Sequence, residues 1–143
     1  MLRKDFFERT IEELGQVLRK AMELYLQRRT QPARETLNEA TVAFFDMQTQ
    51  AARGLPEEAL YARMAADGPD KREYYRQLAD LLVLDGDLLA EEGDWPEAGK
   101  AWHQALRILM WQQAQTDTVF SFDRRHRIRE LQARLKQLDA AAE

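Results

Sequence analysis

Few residues in this chain can make or break bonds. It has one serine, Ser121, two histidines, His103 and His126, and no cysteine. Zero cysteine removes thiolate nucleophiles, disulfides and thiolate metal sites together. A Ser/His/Asp triad would have to be built on Ser121 alone. Two histidines are too few for a histidine-rich zinc site, although carboxylates can still hold a hard cation. Asp85, Asp87 and Glu91 are the candidates for that, but only Asp87 and Glu91, four apart, share a helical face. His103 lies between Trp102 and Gln104 and reads as a helix-surface residue, since no acid can be placed beside it to make a general base. The six glycines, at 15, 54, 68, 86, 93 and 99, are scattered, so no glycine-rich loop cradles a phosphate. The expectation is a protein without catalytic residues, metal or cofactor.

Composition fits a folded protein. Of 143 residues, 45% are apolar and 32% charged, enough to bury a core in one domain spanning 1–143. Lys and Arg number 21 against 25 Asp and Glu, a balance of −4 that disfavours a nucleic-acid binder. Charge is uneven, however. Residues 36–99 carry 5 basic and 14 acidic side chains, or −9, and residues 100–143 carry 8 and 5, or +3. Glu8, Arg9, Glu12 and Glu13 interrupt any secretory apolar run, and no stretch approaches the ~20 apolar residues of a membrane span. The expected location is the cytoplasm.

The elements that must position these side chains all read as helix. Phe7, Ile11, Leu14, Leu18, Met22 and Tyr25 fall on one face of a helix over 5–29. Pro32 opens a second helix, whose buried side is Ala33, Leu37, Ala40, Thr41 and Phe44. Gly54-Leu55-Pro56 breaks the chain, and a short third helix runs from 56 to 64, ended by Asp67-Gly68-Pro69. Asp70 with Glu73, and Asp94 with Glu97, have capping-box spacing ahead of a fourth helix over 71–92 and a fifth that continues to about 113. A loop at Thr116-Asp117-Thr118 precedes a sixth helix over 123–140, with an apolar seam of Ile128, Leu131, Leu135 and Leu138. The only β-prone run, Val119 to Phe122, is too short to stand as a strand.

An offset of 65 residues aligns Ala33 and Ala40 with Ala98 and Ala105, and Leu37 with Trp102. Each set follows a proline at a helix start at i, i+4, i+7, a pattern for close helix contact in which small residues admit a neighbour and a large one fills the gap. The stretch from Leu82 to Met110 resembles a tetratricopeptide repeat, a 34-residue pair of antiparallel helices. The matching residues are Leu82, Gly86, Leu89, Gly93, Asp94, Trp95, Ala98, Trp102, Ala105 and Leu106. The resemblance implies that Gly86 sits where the second helix crosses and that Gly93 caps the first helix. Asp85 and Met110 depart from the pattern, which has an apolar residue and a proline there. Residues 14–47 resemble the repeat more weakly, keeping Ala21, Ala33, Leu37 and Ala40 but carrying Arg28 at the turn glycine. The opening run from Arg3 to Glu8, with Ile11 to Leu14, is similar to the start of a family of small uncharacterised bacterial proteins with tetratricopeptide-like cores and no assigned activity.

The resemblance implies a groove lined by the first helix of each pair. On the fourth helix those positions are Asp80, Val83, Asp87, Ala90 and Glu91; on the first helix they are Leu18, Met22, Tyr25 and Leu26. The acidic set reads either as a solvated face or as a groove for a basic or amphipathic peptide. The apolar set reads as core before groove. The cluster Arg124-Arg125-His126-Arg127-Ile128-Arg129 belongs to a capping helix, with nucleic-acid contact and self-association as the other uses of such charge. These observations point to an all-α fold of antiparallel helix pairs, closed by a long N-terminal helix and a C-terminal capping helix. The function expected is a non-enzymatic protein–protein interaction module or adaptor. Its alternatives are a small-molecule-binding or enzymatic bundle built on a buried Asp85, and a structural homo-oligomer such as a homodimer.

Overall fold

Helix-forming residues dominate between the Pro and Gly breaks, and the computed structural model, which describes residues 2–115 and 122–142, is helical almost throughout. Among the described residues there are seven α-helices, one 3-10 turn and no strand: α1 (Leu2–Leu26), α2 (Thr30–Phe45), α3 (Thr49–Arg53), α4 (Glu57–Asp67), the turn Pro69–Lys71, α5 (Arg72–Glu91), α6 (Trp95–Gln115) and α7 (Phe122–Ala142). The loop expected at 116–118 and the run from Val119 to Ser121 lie outside the described residues. The chain forms two units, Met1–Ala52 and Arg53–Glu143.

In the first unit α1 and α2 pack as a helical hairpin. Leu14 and Ala21 on α1, and Ala33, Leu37, Ala40 and Phe45 on α2, are buried. The small alanines let the helices approach, as their i, i+4, i+7 spacing predicts. The buried line of α1 runs through Leu14 and Ala21, which turns the neighbouring apolar stripe outward. Leu18 and Tyr25 are only half-buried and Met22 and Leu26 are exposed, so that stripe is not the core the sequence suggests. Arg28 closes the turn with φ 61°, the left-handed conformation that glycine adopts at less cost. The short helix α3 has no periodic signal. It forms where Asn38 Oδ1 accepts the Thr49 N–H at 2.9 Å and the Thr41 and Thr49 hydroxyls meet at 2.9 Å, so a polar clasp starts it.

In the second unit α5 and α6 form the second hairpin, and α7 packs along α6. Leu78, Leu81, Leu82, Leu88 and Leu89 of α5 are buried with Ala98, Ala101, Ala105, Ile108 and Leu109 of α6. Ile128, Leu131 and Leu135 seat α7, as the seam predicts. The turn between α5 and α6 is closed by Gly93 at φ 83°, with the Asp94 N–H reaching Leu89 O at 2.9 Å, a glycine C-cap. The capping boxes form only in part. Asp94 Oδ1 accepts the Glu97 N–H at 3.4 Å, but the Glu97 carboxylate turns away to basic partners. At α5, Glu73 is taken by Arg76 at 2.9 Å, and the 3-10 turn Pro69–Lys71 replaces a side-chain cap.

Candidate functional site

The centre of the second unit is the crossing of α5 and α6. Gly86 is buried against Trp102: a Cβ at Gly86 would lie 2.3 Å from the indole Nε1 and 2.5 Å from Cδ1. The ring therefore lies on the backbone of α5, and glycine is required there by space rather than by φ. Trp102 Nε1 donates to Val83 O at 3.3 Å and Asp87 Oδ1 at 3.2 Å. Of the repeat positions, Leu82, Leu89, Ala98, Trp102 and Ala105 are buried.

The acidic positions gather around this crossing. Asp80 and Asp87 are seven apart, two turns along one face of α5. On α7, Arg127 and Arg134 are also seven apart. Arg127 Nη1 lies 2.7 Å from Asp80 Oδ1, and Arg134 Nη1 lies 2.7 Å from Asp87 Oδ1. Arg134 also stacks over the Trp102 ring, 5.5 Å from its centroid, and reaches Glu130 at 3.0 Å. Arg76 adds a second cation to Asp80 at 3.3 Å. Val83 and Ala90 are half-buried, while Glu91 is exposed and takes part in neither of these two ion pairs. Beside Arg134 a cleft of about 440 Å³ opens against Trp95, Trp102, Leu138 and Ala141.

Burial pushes the Asp80 carboxyl above the ordinary carboxylate range, against the downward pull of Arg127 and Arg76, with Glu73 adding to the rise. Asp87 is raised in the same way, by burial first, with Arg134 and the Trp102 N–H opposing and Glu130 adding. An acid whose folded pKa is raised binds protons more readily folded than unfolded, so its contribution to stability falls as pH rises through that window. The expected outcome is that wild type loses stability relative to Asp80→Asn/Asp87→Asn as pH climbs from the unfolded value of 3.8 through the raised folded values. Urea denaturation of both proteins across that range measures it, and a parallel pH dependence would contradict it.

Asp85, the residue that breaks the repeat pattern, faces elsewhere. Its side chain is 4% exposed and accepts from Arg53 Nη1 at 3.1 Å; the Arg53 side chain is 6% exposed. Arg53 Nε also reaches Glu97 Oε2 at 2.9 Å, and Lys100 holds the other Glu97 oxygen at 2.8 Å. Burial pulls the Arg53 pKa down, but Asp85 and Glu97 outweigh it and hold the guanidinium above its ordinary value. Asp85, Asp87 and Glu91 thus share no cation site, and among the described residues no group of three or more His, Asp or Glu is placed to hold a metal. Arg53 carries no sequence signal for this role: it ends a five-residue helix 32 positions before its partner. The arginine ladder had a signal, the matching seven-residue spacings, but the two halves lie 47 residues apart.

No helix among the described residues is long and apolar enough to cross a membrane. No family model, no curated protein and no solved structure matches the chain, so its fold and site rest on its own geometry.

Proposed function

We propose that this chain is a non-enzymatic protein-interaction module of tetratricopeptide-like type, whose acidic α5 face takes a basic amphipathic helix. The observation that carries this reading is the ladder of Asp80 and Asp87 with Arg127 and Arg134. It is a helix-reading device already engaged by α7: two carboxylates at a two-turn spacing take two arginines at the same spacing, with the Trp102 face stacked under the second. A partner helix with basic residues seven apart, and an apolar side chain to lie where α7 now meets Trp95 and Trp102, would use the same contacts. The burial of Asp85 against Arg53 supports a structural use of that carboxylate over an acid–base one.

In this reading α7 competes with the partner. A tethered occupant acts at an effective concentration of order millimolar, so an incoming helix binds weakly until α7 is loosened. A labelled peptide of residues 122–142 tests this by fluorescence anisotropy. Weak binding is expected to wild type, binding about tenfold tighter to Arg127→Glu/Arg134→Glu, and loss of binding when Asp80→Lys/Asp87→Lys is added. Equal affinity for all three proteins, or none for any, would place the binding surface elsewhere.

A further inference from the structure

The second unit has a cleft that the acidic face does not use. It is an open cleft of about 550 Å³, lined by α6, by the loop at Gly54 and Leu55 and by the end of α7. Lys100, His103 and Arg107, at i, i+3 and i+7, line it from one face of α6. Lys100 is neutralised by Glu97 at 2.8 Å. Arg107 differs: it is half-buried, yet its hydrogen-bond partner is the neutral amide of Gln104, at 3.0 Å from Nη1. Gln104 is itself buried and anchored, its Nε2 donating to Leu55 O at 3.0 Å. The guanidinium is thus aimed by a fixed amide and has no carboxylate among the described residues within ion-pair distance. A guanidinium whose protein partner is a neutral amide keeps donors for an anion in the cleft, and a carboxylate fits its planar fork.

The rest of the lining defines what else the ligand carries. Trp95 is 50% exposed and offers an indole to stack against, with Leu55 and Leu138 as the apolar walls. Gly99 brings the α6 backbone to the floor, where a Cβ would meet Leu138 Cδ2 at 2.9 Å. Asp139 stands exposed at the α7 rim, a fixed negative charge that disfavours a second anionic group. We infer that this cleft is a binding site for a small monoanionic carboxylate with a flat apolar body. The carboxylate sits on Arg107 beside His103, and the body lies between Trp95, Leu55 and Leu138. The inference uses no residue of the acidic α5 face, but it takes α7 in its docked position, since Leu138 and Asp139 line the cleft.

Benzoate is the probe, added to the full-length ¹⁵N-labelled protein and followed by ¹H–¹⁵N correlation spectra, with acetate and inorganic phosphate as controls. Saturating shifts are expected at the Gly99, His103 and Arg107 amides and the Trp95 indole N–H. Acetate, lacking the flat body, and phosphate, repelled by Asp139, should bind more weakly. Arg107→Gln should weaken benzoate about tenfold or more, and Trp95→Ala should weaken it while leaving acetate unchanged. Asp139→Asn should strengthen phosphate. No saturation by benzoate, unaltered affinity in the still-folded Arg107→Gln protein, or phosphate binding more tightly than benzoate would each overturn the assignment.

Discussion

Gly86→Ala is expected to lower the stability of this protein, and removing the Trp102 ring to reverse the sign of that substitution. On helix propensity alone, alanine for a mid-helix glycine gains about 1 kcal/mol. The new methyl would lie 2.3, 2.5 and 2.9 Å from three indole atoms of Trp102, so the ring has to move. It has little freedom to do so, because Val83 O and Asp87 hold its N–H and Arg134 covers its face. Overpacking of this kind costs about 1–3 kcal/mol, and the rigidity of the ring puts it toward the upper end. The net result is a loss of about 1–2 kcal/mol, a drop of several degrees in the thermal midpoint. Trp102→Ala alone should cost about 3–5 kcal/mol, since it empties the space over α5 and strips Arg134 of its stacking partner. With the ring gone, the three closest contacts of the new methyl are gone too and its propensity gain emerges, so the double variant should be more stable than Trp102→Ala. Circular dichroism melts of the four proteins read this cycle. A stabilising Gly86→Ala in the wild-type background would show that the crossing is looser than its geometry.

That crossing was largely legible in the sequence, because it is written in residue size at helical spacing. Gly86, Ala98, Trp102 and Ala105 are small or large for reasons of packing, and packing repeats every 3.6 residues. The same holds for Ala33, Leu37 and Ala40, and for the seam that seats α7. The helix breaks were legible too, since Gly-Leu-Pro and Asp-Gly-Pro cannot continue a helix. Side-chain destinations were not. Glu73 and Glu97 have the spacing to cap their helices, but a nearby arginine offers each a charged partner, which outbids a neutral backbone N–H. The acidic stripe reads equally well as solvated surface or as a groove. Choosing between them needs the position of α7, which no local pattern encodes. The stripe is right at Leu14, but the α1–α2 contact runs on through Ala21, one residue before Met22, and this leaves Met22 and Leu26 outside it.

Asp85 is the sharpest case of a residue that sequence reading could flag but not explain. An acid in place of an apolar residue, beside a buried glycine, signals either chemistry or a hidden partner. The partner is Arg53, 32 residues upstream. The expected consequence is strong asymmetry between breaking the pair and replacing it. Arg53→Met leaves the Asp85 carboxylate buried without its cation and should cost about 3–5 kcal/mol. Asp85→Leu should cost less, because Arg53 keeps Glu97 at 2.9 Å, and Glu97 is close enough to solvent to share. Arg53→Met/Asp85→Leu should recover most of the loss or exceed wild type, since a buried ion pair rarely outperforms an apolar pair of similar volume. Urea denaturation of the three variants, with the coupling energy taken from the cycle, measures this. The result bears on function as well as stability. A structural pair can be exchanged for hydrocarbon without touching the acidic face, so the double variant should bind the α7 peptide as its parent does. If Arg53→Met costs under about 1 kcal/mol, Asp85 meets its charge through its other contacts, through water or by taking a proton, and the pH dependence of the variant's stability separates the last from the rest. A carboxyl that takes a proton inside the second unit would be an acid–base group in its own right, and the non-enzymatic reading would have to give way.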